Sequence, residues 1–219
     1  MAYVIERVDE RVTMVRCDLI PGCMTNSYVI DGRAAVYFID AGLGDGTAAK
    51  MAGLADPNKP WYLINTHYHW DHVWGNAGLM RAALISHERC DQAVRERWDE
   101  MMTKNGRYID GAAAYRAPDI LFSGSLRLHG ELELAYAPGH TADSIVAYYA
   151  PSRILFAADL VGDDDTEIVP SVMDPERFVP TLDRCLAFDP ALVLSGHNDP
   201  RGPETLRLIR GLYLEAAHP

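Results

Sequence analysis

The stretch NTHYHWDHVWGN, residues 65–76, places three histidines and one aspartate within six positions, directly after an apolar run of strand length. His67, His69, Asp71 and His72 form the pattern HxHxDH. Because residues two apart face the same way in an extended segment, His67 and His69 can point together at one metal ion. Asp71 and His72 come where the chain turns, so they can aim at a second point nearby. The spacing therefore predicts two adjacent metal positions.

Two catalytic metal ions need more ligands than these four residues supply, and three further candidates follow strand-like runs. His140 lies in APGHTADS, Asp159 in LFAADLV and His197 in VLSGHND. Imidazole nitrogens and carboxylate oxygens are ligands that zinc and similar divalent ions take in proteins. The remaining histidines lack such surroundings and are expected at the surface or in structural roles: His87, His129 and His218.

The composition is that of a folded globular protein. With 219 residues, of which 48% are hydrophobic and 23% charged, the chain can bury a substantial core. We expect one domain over residues 1–219. No apolar run approaches the roughly 20 residues of a membrane span, and MAYVIERVDE carries charge where a secretory signal is apolar. These features predict a cytoplasmic location and no membrane partner.

The charge of the chain argues against a polyanionic partner. A formal net charge of -11 and a pI near 5.1 oppose long-range attraction to a phosphate backbone. We therefore expect no nucleic acid as partner and favour a small-molecule substrate. The four cysteines contain no CxxC pattern, so neither a disulfide framework nor a thiolate zinc site is expected.

Strand and helix patterns alternate along the chain. Short runs rich in β-branched and aromatic residues, from YVIERV to AAVYFIDAG, predict consecutive antiparallel strands. A helix-compatible stretch then precedes the strand WYLINTH, and a long charged helix follows the strand ALIS. The second half has further strand candidates, with helices near 175–188 and 204–216. The similar order in both parts predicts two related halves within one domain.

The ordered motifs of the chain resemble those of the metallo-β-lactamase superfamily. They are HxHxDH, PGHT, the aspartate after ILFAA, SGH and the aspartate in YFIDAG, and the likeness runs from about residue 26 to residue 200. The resemblance implies an α/β fold with four αββα layers, in which two mixed β-sheets pack face to face and helices cover the outer faces. It also implies an enzyme, namely a metal-dependent hydrolase.

The family pattern also implies a role for each matching residue. Carried over by position, it implies three groups of ligands: His67, His69 and His140 for one metal ion, Asp71, His72 and His197 for the other, and Asp159 as the bridge. A carboxylate suits the bridging position because its two oxygens can each face one cation. Asp40 would fix the histidine loop by hydrogen bonds, with a plain turn residue as the alternative.

The resemblance implies two divalent metal ions per chain, with zinc favoured and iron or manganese as alternatives. A hydroxide held by the metals would attack a carbonyl, and Asp71 could orient it or carry a proton. Substrates would be esters, thioesters, lactones or β-lactams. The segment around Asp159 resembles zinc β-lactamases, which carry Cys at that position, while HYHWDH is similar to glyoxalase II. A mononuclear iron persulfide dioxygenase and a metal-dependent nuclease are the alternatives within the superfamily.

Substrate recognition is expected from loops near the motifs. CDLIPGCMTN has the Pro-Gly pair of a mobile flap, and Met24, Trp70 and Trp74 are candidates for an apolar pocket wall, with core packing as the alternative for each. The acidic run GDDDTE, residues 162–167, contains no Lys or Arg that would pair with a substrate carboxylate. If this run lies near the metals, a neutral or cationic substrate is favoured.

Overall fold

The computed structural model describes residues 3–164 and 166–217. Within them the chain forms two units, which divide between Ser123 and Gly124 and are called the first and the second unit below. Each unit is built around a mixed β-sheet. The prediction of one domain over residues 1–219 stays a prediction.

The sheet of the first unit has seven strands among the described residues, and they are hydrogen-bonded in chain order. The strands are Tyr3–Arg7 (β1), Val12–Ile20 (β2), Cys23–Asp31 (β3), Val36–Ile39 (β4), Trp61–Ile64 (β5), Ala83–His87 (β6) and Ile120–Phe122 (β7). Pairing is antiparallel from β1 to β4 and parallel from β4 to β7. All four residues of β4 are buried, as expected of an apolar strand paired in parallel inside a sheet.

Helices of the first unit follow its parallel strands. They are Asp45–Ala52 (α1), Trp70–Val73 (α2) and Glu88–Asn105 (α3), with short 3-10 turns at Asn76–Leu79 and Gly106–Tyr108. One core cluster joins the sheet to α1 through residues such as Phe38, Leu63 and Met51. A second cluster packs Tyr68 and Trp74 against Val94 and Met101 of α3.

The second unit has a five-stranded sheet within the described part of the chain, in the order β12-β11-β10-β9-β8. Its strands are Ser125–Leu128 (β8), Leu132–Tyr136 (β9), Ile145–Tyr149 (β10), Ile154–Ala158 (β11) and Leu192–Ser195 (β12), and its helices are Pro175–Ala187 (α4) and Glu204–Ala217 (α5). Strands β8 to β11 pair antiparallel, whereas β11 and β12 pair in parallel. Phe178 and Leu182 of α4 are fully buried in its core.

Most of the predicted elements are confirmed, including the four antiparallel strands at the start of the chain. Two differences bear on the site. Strand β5 ends at Ile64, three residues before His67, so the histidines follow the strand instead of ending it. The three-residue strand β7 lies in a stretch to which the sequence patterns assigned no element. No helix in the described residues is long and apolar enough to cross a membrane.

Candidate metal centre

Asp40 sits where two parallel strands of the first unit end together. Strands β4 and β5 pair with Ile39 opposite Ile64, and the backbone N–H of Asp40 donates to the carbonyl of Ile64 at 2.9 Å. Asp40 has a φ of 56°, in the left-handed region that Asp adopts more readily than most residues. The pairing of these strand ends brings the Asp40 side chain to the segment that carries the histidine motif.

The buried Asp40 carboxylate accepts three hydrogen bonds from this segment. Its Oδ1 accepts from the backbone N–H of Thr66 at 2.8 Å. Its Oδ2 accepts from the Thr66 hydroxyl at 2.7 Å and from His72 Nδ1 at 2.8 Å. The carboxylate therefore orients His72 through Nδ1, which leaves the buried Nε2 on the opposite side of the ring. His72 Nε2 lies 3.7 Å from Asp71 Oδ2.

The hydrogen bonds of Thr66 also determine the tautomer of His67. The Thr66 hydroxyl has one proton, which it donates to Asp40. Its oxygen lies 3.1 Å from His67 Nδ1 and must therefore accept a hydrogen bond from the N–H of that nitrogen. Nε2 of His67 is left as an electron-pair donor, 2.9 Å from Nδ1 of His69. The two ring nitrogens converge as they would on one cation.

The second unit holds three further candidates at the ends of its parallel strands. Strands β11 and β12 pair with Ala158 opposite Ser195, so Asp159 and His197 follow their carboxyl ends. One oxygen of Asp159, Oδ2, lies 3.3 Å from His197 Nε2 and 3.6 Å from His140 Nε2. His140 Nδ1 donates to the carbonyl of Ser171 at 3.0 Å. All three ligand candidates are at most 7% exposed.

The chain bends where Asp159 leaves its strand. Pairing of β11 with β12 shifts register between Phe156 and Ala158. Ala158 has a φ of 46°, a left-handed conformation that costs a residue with a β-carbon on the order of 1 kcal/mol. Strained backbone of this kind occurs often next to functional residues. Here it sets the direction in which the Asp159 carboxylate leaves the strand.

Within each unit, the side chains have the chemistry and the orientation of ligands for a divalent cation. His67, His72 and His140 all engage a protein oxygen through Nδ1 and present Nε2 to another candidate ligand. A metal-binding histidine is held in the same manner, because a hydrogen bond from one ring nitrogen leaves the other as the ligand. Buried imidazole and carboxylate donors suit zinc and related ions.

The family of the chain follows from its match to a family model. Residues 20–197 match the model described as the metallo-β-lactamase superfamily. The chain belongs to this superfamily. A relative from Caenorhabditis elegans, described as a beta-lactamase-like protein 2 homolog, is 24% identical over an alignment of 177 residues, and the match covers 79% of this chain. The chain spans 55% of the length of that relative.

Solved structures confirm the predicted αββα fold class of this metallo-β-lactamase superfamily member. The metallo-β-lactamase FIM-1 from Pseudomonas aeruginosa, in its mono-zinc form, has a TM-score of 0.78 at 17% identity and covers 100% of this chain and 98% of its own. A metallo-β-lactamase from Hirschia baltica has a TM-score of 0.75 at 19% identity, over 97% of this chain and 98% of its own. At these identities the likeness concerns the fold.

The three residues predicted to line an apolar pocket wall, Met24, Trp70 and Trp74, lie in different environments. Trp74 is completely buried in the core cluster with Val94, and no described residue accepts a hydrogen bond from its indole nitrogen. It therefore has no surface to offer a ligand, and core packing describes it. Trp70 is half-buried and stacks on Tyr108, with ring centroids 5.8 Å apart. Met24 is half-buried near the start of β3.

Among the described residues, the two remaining histidines, His87 and His129, are not part of these clusters. His87 is buried, and its Nδ1 accepts from the backbone N–H of Arg89 at the start of α3, as expected of a structural residue. Burial lowers the pKa of His87, because a charged imidazole loses solvation there. His129 is exposed. His218 lies outside the described residues.

The acidic run after Asp159 is organised by its own side chains. Asp164 accepts from the hydroxyl and the backbone N–H of Thr166, both at 2.6 Å, and from the backbone N–H of Glu167 at 2.8 Å. These bonds, first that of the Thr166 hydroxyl, lower the pKa of Asp164. Asp165, in the middle of the run, lies outside the described residues.

Two supporting groups of the centre were missed by the sequence patterns. Thr66 links Asp40 to His67, and its only sequence signal is that it directly precedes the motif. The Ser171 carbonyl orients His140 from 31 positions away, and a backbone oxygen leaves no trace in residue identity.

Proposed function

We propose that the chain is a metal-dependent hydrolase of a small-molecule ester, thioester, lactone or β-lactam, working with two divalent ions. Zinc is the favoured metal, and iron and manganese are the alternatives. The observation that carries the proposal is the uniform orientation of His67, His72 and His140, whose Nδ1 atoms bind protein oxygens while Nε2 faces another ligand candidate. Membership of the superfamily supports it.

In this proposal seven side chains hold one pair of ions. The ligands are His67, His69 and His140 for one ion, Asp71, His72 and His197 for the other, and Asp159 as the bridge. Asp159 Oδ2 lies 3.6 Å from His140 Nε2 and 3.3 Å from His197 Nε2, which supports a carboxylate shared by the two sites through this one oxygen.

A bound divalent ion supplies a Lewis acid and lowers the pKa of water near it. The residues of the chain do the rest. The side chain of Asp71 is 11% exposed. Its carboxylate can orient a water molecule for attack on the substrate or take a proton from it. Asp40 and Thr66 keep His67 and His72 in one tautomer, so that no proton has to leave their Nε2 atoms before metal binds.

Metal counting and hydrolysis test the proposal together. We expect protein purified without added metal to bind two zinc ions per chain after zinc titration and to hydrolyse members of an ester, thioester, lactone and β-lactam panel. His197→Ala removes a terminal ligand and Asp159→Ala the bridge, so both lose at least a hundredfold in kcat. Added zinc should restore His197→Ala more fully, because this variant keeps the bridge. His129→Ala, an exposed histidine of the same unit, is the matched control.

Two different results would contradict the proposed function. One iron per chain, with oxygen consumption on a persulfide and no hydrolysis, would assign the chain to the dioxygenase class instead. Near-normal hydrolysis by folded Asp159→Ala with one metal per chain would contradict the dinuclear site. Circular dichroism of each variant verifies folding in both cases.

A further inference from the structure

We propose that Arg97 is a specificity residue that binds a carboxylate of the substrate, in a small pocket beside the candidate ligand His69. The role of Arg97 in substrate specificity rests on the proposed hydrolase function. The proposed substrate class is a small molecule that carries an anionic group together with an apolar segment.

The pocket has a volume of about 190 Å³ and lies entirely within the first unit. Tyr68, His69 and Trp70 of the metal motif line one part, and Arg97, Met101 and Lys104 of α3 line another. His69 is common to the pocket and to the metal cluster, because its Nδ1 faces His67 Nε2 at 2.9 Å. A ligand in this pocket therefore touches a residue whose other contact is the candidate metal site.

Arg97 is held in place by a ring contact, and Glu100 is the carboxylate whose charge it senses. Its guanidinium carbon lies 5.3 Å from the centroid of the Tyr68 ring, a cation–π contact that positions the group over the ring. Within the described residues it makes no salt bridge. Lys104, by contrast, pairs with Glu100 at 2.6 Å, and Arg95 pairs with Asp91 at 3.0 Å. Arg97 thus keeps its hydrogen-bond donors for an anion, and a guanidinium binds a carboxylate through two parallel bonds.

The charge and the apolar lining of the pocket define its ligand. Two cations, Arg97 and Lys104, face one carboxylate, Glu100, which leaves a net charge of +1 at the pocket. The hydrogen bond and the charge of Lys104, followed by the charge of Arg97, lower the pKa of Glu100, so Glu100 compensates Lys104 first. Trp70 and Met101 supply apolar surface. An aliphatic or aromatic carboxylate matches both features, whereas a neutral ligand would leave the guanidinium without a partner.

This assignment differs from the expectation based on residues 162–167. That acidic run suggested a neutral or cationic substrate because it contains no Lys or Arg. Arg97 lies in α3, 25 positions after His72, and was not associated with the site by sequence spacing. The pocket beside His69 shows a cation where the sequence pattern gave no reason to expect one.

A binding experiment tests the inference independently of catalysis. Isothermal titration calorimetry compares 3-phenylpropionate with the neutral 3-phenylpropanamide on the zinc-loaded protein. We expect the wild type to bind the carboxylate about tenfold more tightly than the amide, as one charge-assisted pair provides. Arg97→Gln should lose this preference, whereas Arg95→Gln, a substitution of the paired arginine on the same helix, should keep it. A preference that survives in Arg97→Gln would assign the anion to the metals and overturn the proposal, as would equal binding by the wild type.

A matched pair of esters then links the pocket to turnover. The mono-4-nitrophenyl ester of glutarate and 4-nitrophenyl pentanoate share the same acyl length and differ in the terminal carboxylate. Arg97→Gln should raise KM for the glutarate ester about tenfold with little change in kcat, and should leave the pentanoate within twofold. Equal effects on both esters would overturn the role in specificity. If the wild type hydrolyses neither ester while the calorimetric preference holds, the pocket stands and the hydrolase assignment fails for these bonds.

Discussion

At the scale of single residues, the centre depends on which nitrogen of each histidine faces the neighbouring ligands. The Asp40 carboxylate determines this for two histidines, directly for His72 and through the Thr66 hydroxyl for His67. A buried carboxylate with three hydrogen bonds cannot lose one without leaving a donor unsatisfied. Asp40 is therefore expected to control metal affinity although it is not itself a proposed ligand.

Substitution of Asp40 by Asn tests this role. Asn tolerates the left-handed backbone at this position, but its amide group presents a donor where Thr66 or His72 also donates. We expect Asp40→Asn to weaken zinc binding by 10- to 100-fold, the usual effect of removing a group that orients a metal ligand. Competition with a chromogenic chelator measures the affinity.

The control for this substitution is Asp110→Asn. Asp110 is also buried and accepts hydrogen bonds from Thr47 and Tyr3, but it has no contact with the motif. The substitution Asp110→Asn should lower the free energy of unfolding and leave the zinc affinity unchanged. Equal zinc affinity in Asp40→Asn and wild type would show that His72 is oriented without the carboxylate.

At the scale of elements, parallel strand pairs deliver the ligand candidates in both units. Strands β4 and β5 bring Asp40 beside the histidine motif, and β11 and β12 bring Asp159 beside His197. The carboxyl ends of neighbouring parallel strands meet at one edge of a sheet, which is where α/β proteins place ligands. His140 is positioned differently, since it lies in the loop between β9 and β10.

The position of His140 depends on close packing of that loop against α4. A β-carbon on Gly139 would approach Phe178 to 2.7 Å at the ring and 3.3 Å at the backbone, which is closer than packed atoms allow. We expect Gly139→Ala to displace the loop, to destabilise the protein by about 1–3 kcal/mol and to weaken zinc binding. Urea unfolding and chelator competition measure the two effects.

Gly211→Ala is the matched control for the loop substitution. Gly211 lies in α5, and a β-carbon there meets nothing within 4 Å outside the backbone of its own helix turn. Alanine is the better helix former, so this change should stabilise the protein by up to about 1 kcal/mol. A stable Gly139→Ala variant with normal zinc affinity would contradict the packing argument.

At the scale of the whole molecule, the proposed centre makes the free energy of unfolding depend on metal, because its ligands come together only in the folded chain. Ions that bind only the folded state stabilise it by about 4 kcal/mol at a concentration a thousandfold above Kd. For a chain of this size, each kcal/mol raises Tm by roughly 2–4 °C. We therefore expect a chelator to lower Tm by about 8 °C or more, and added zinc to restore it.

Variants separate this effect from unspecific metal binding. Folded His140→Ala should respond to zinc much less than the wild type, whereas His129→Ala should respond as the wild type does. Differential scanning calorimetry records both. An unchanged Tm after complete metal removal, verified by elemental analysis, would argue against a metal centre that stabilises the folded state.

The residue identities and their order along the chain determined the family and most of the secondary structure of this protein. The motif HxHxDH, the later PGHT and SGH motifs and the isolated Asp159 identified the superfamily, which the family match confirms. The strand patterns determined most elements, because alternation and apolar runs reflect burial that each strand experiences along its own length. The three-residue strand β7 carries too short a pattern for this.

Only the tertiary structure decided how the side chains are used. It showed that the Thr66 hydroxyl donates its hydrogen bond to Asp40, that the Ser171 carbonyl orients His140, and that Trp74 belongs to the core. It also brought Arg97 of α3 over Tyr68, beside His69. Each of these facts depends on contacts between segments far apart in the chain. Local propensity and motif spacing contain no information on these contacts. Hydrogen-bond direction and side-chain packing are determined only when the helices and strands pack against one another in the folded chain.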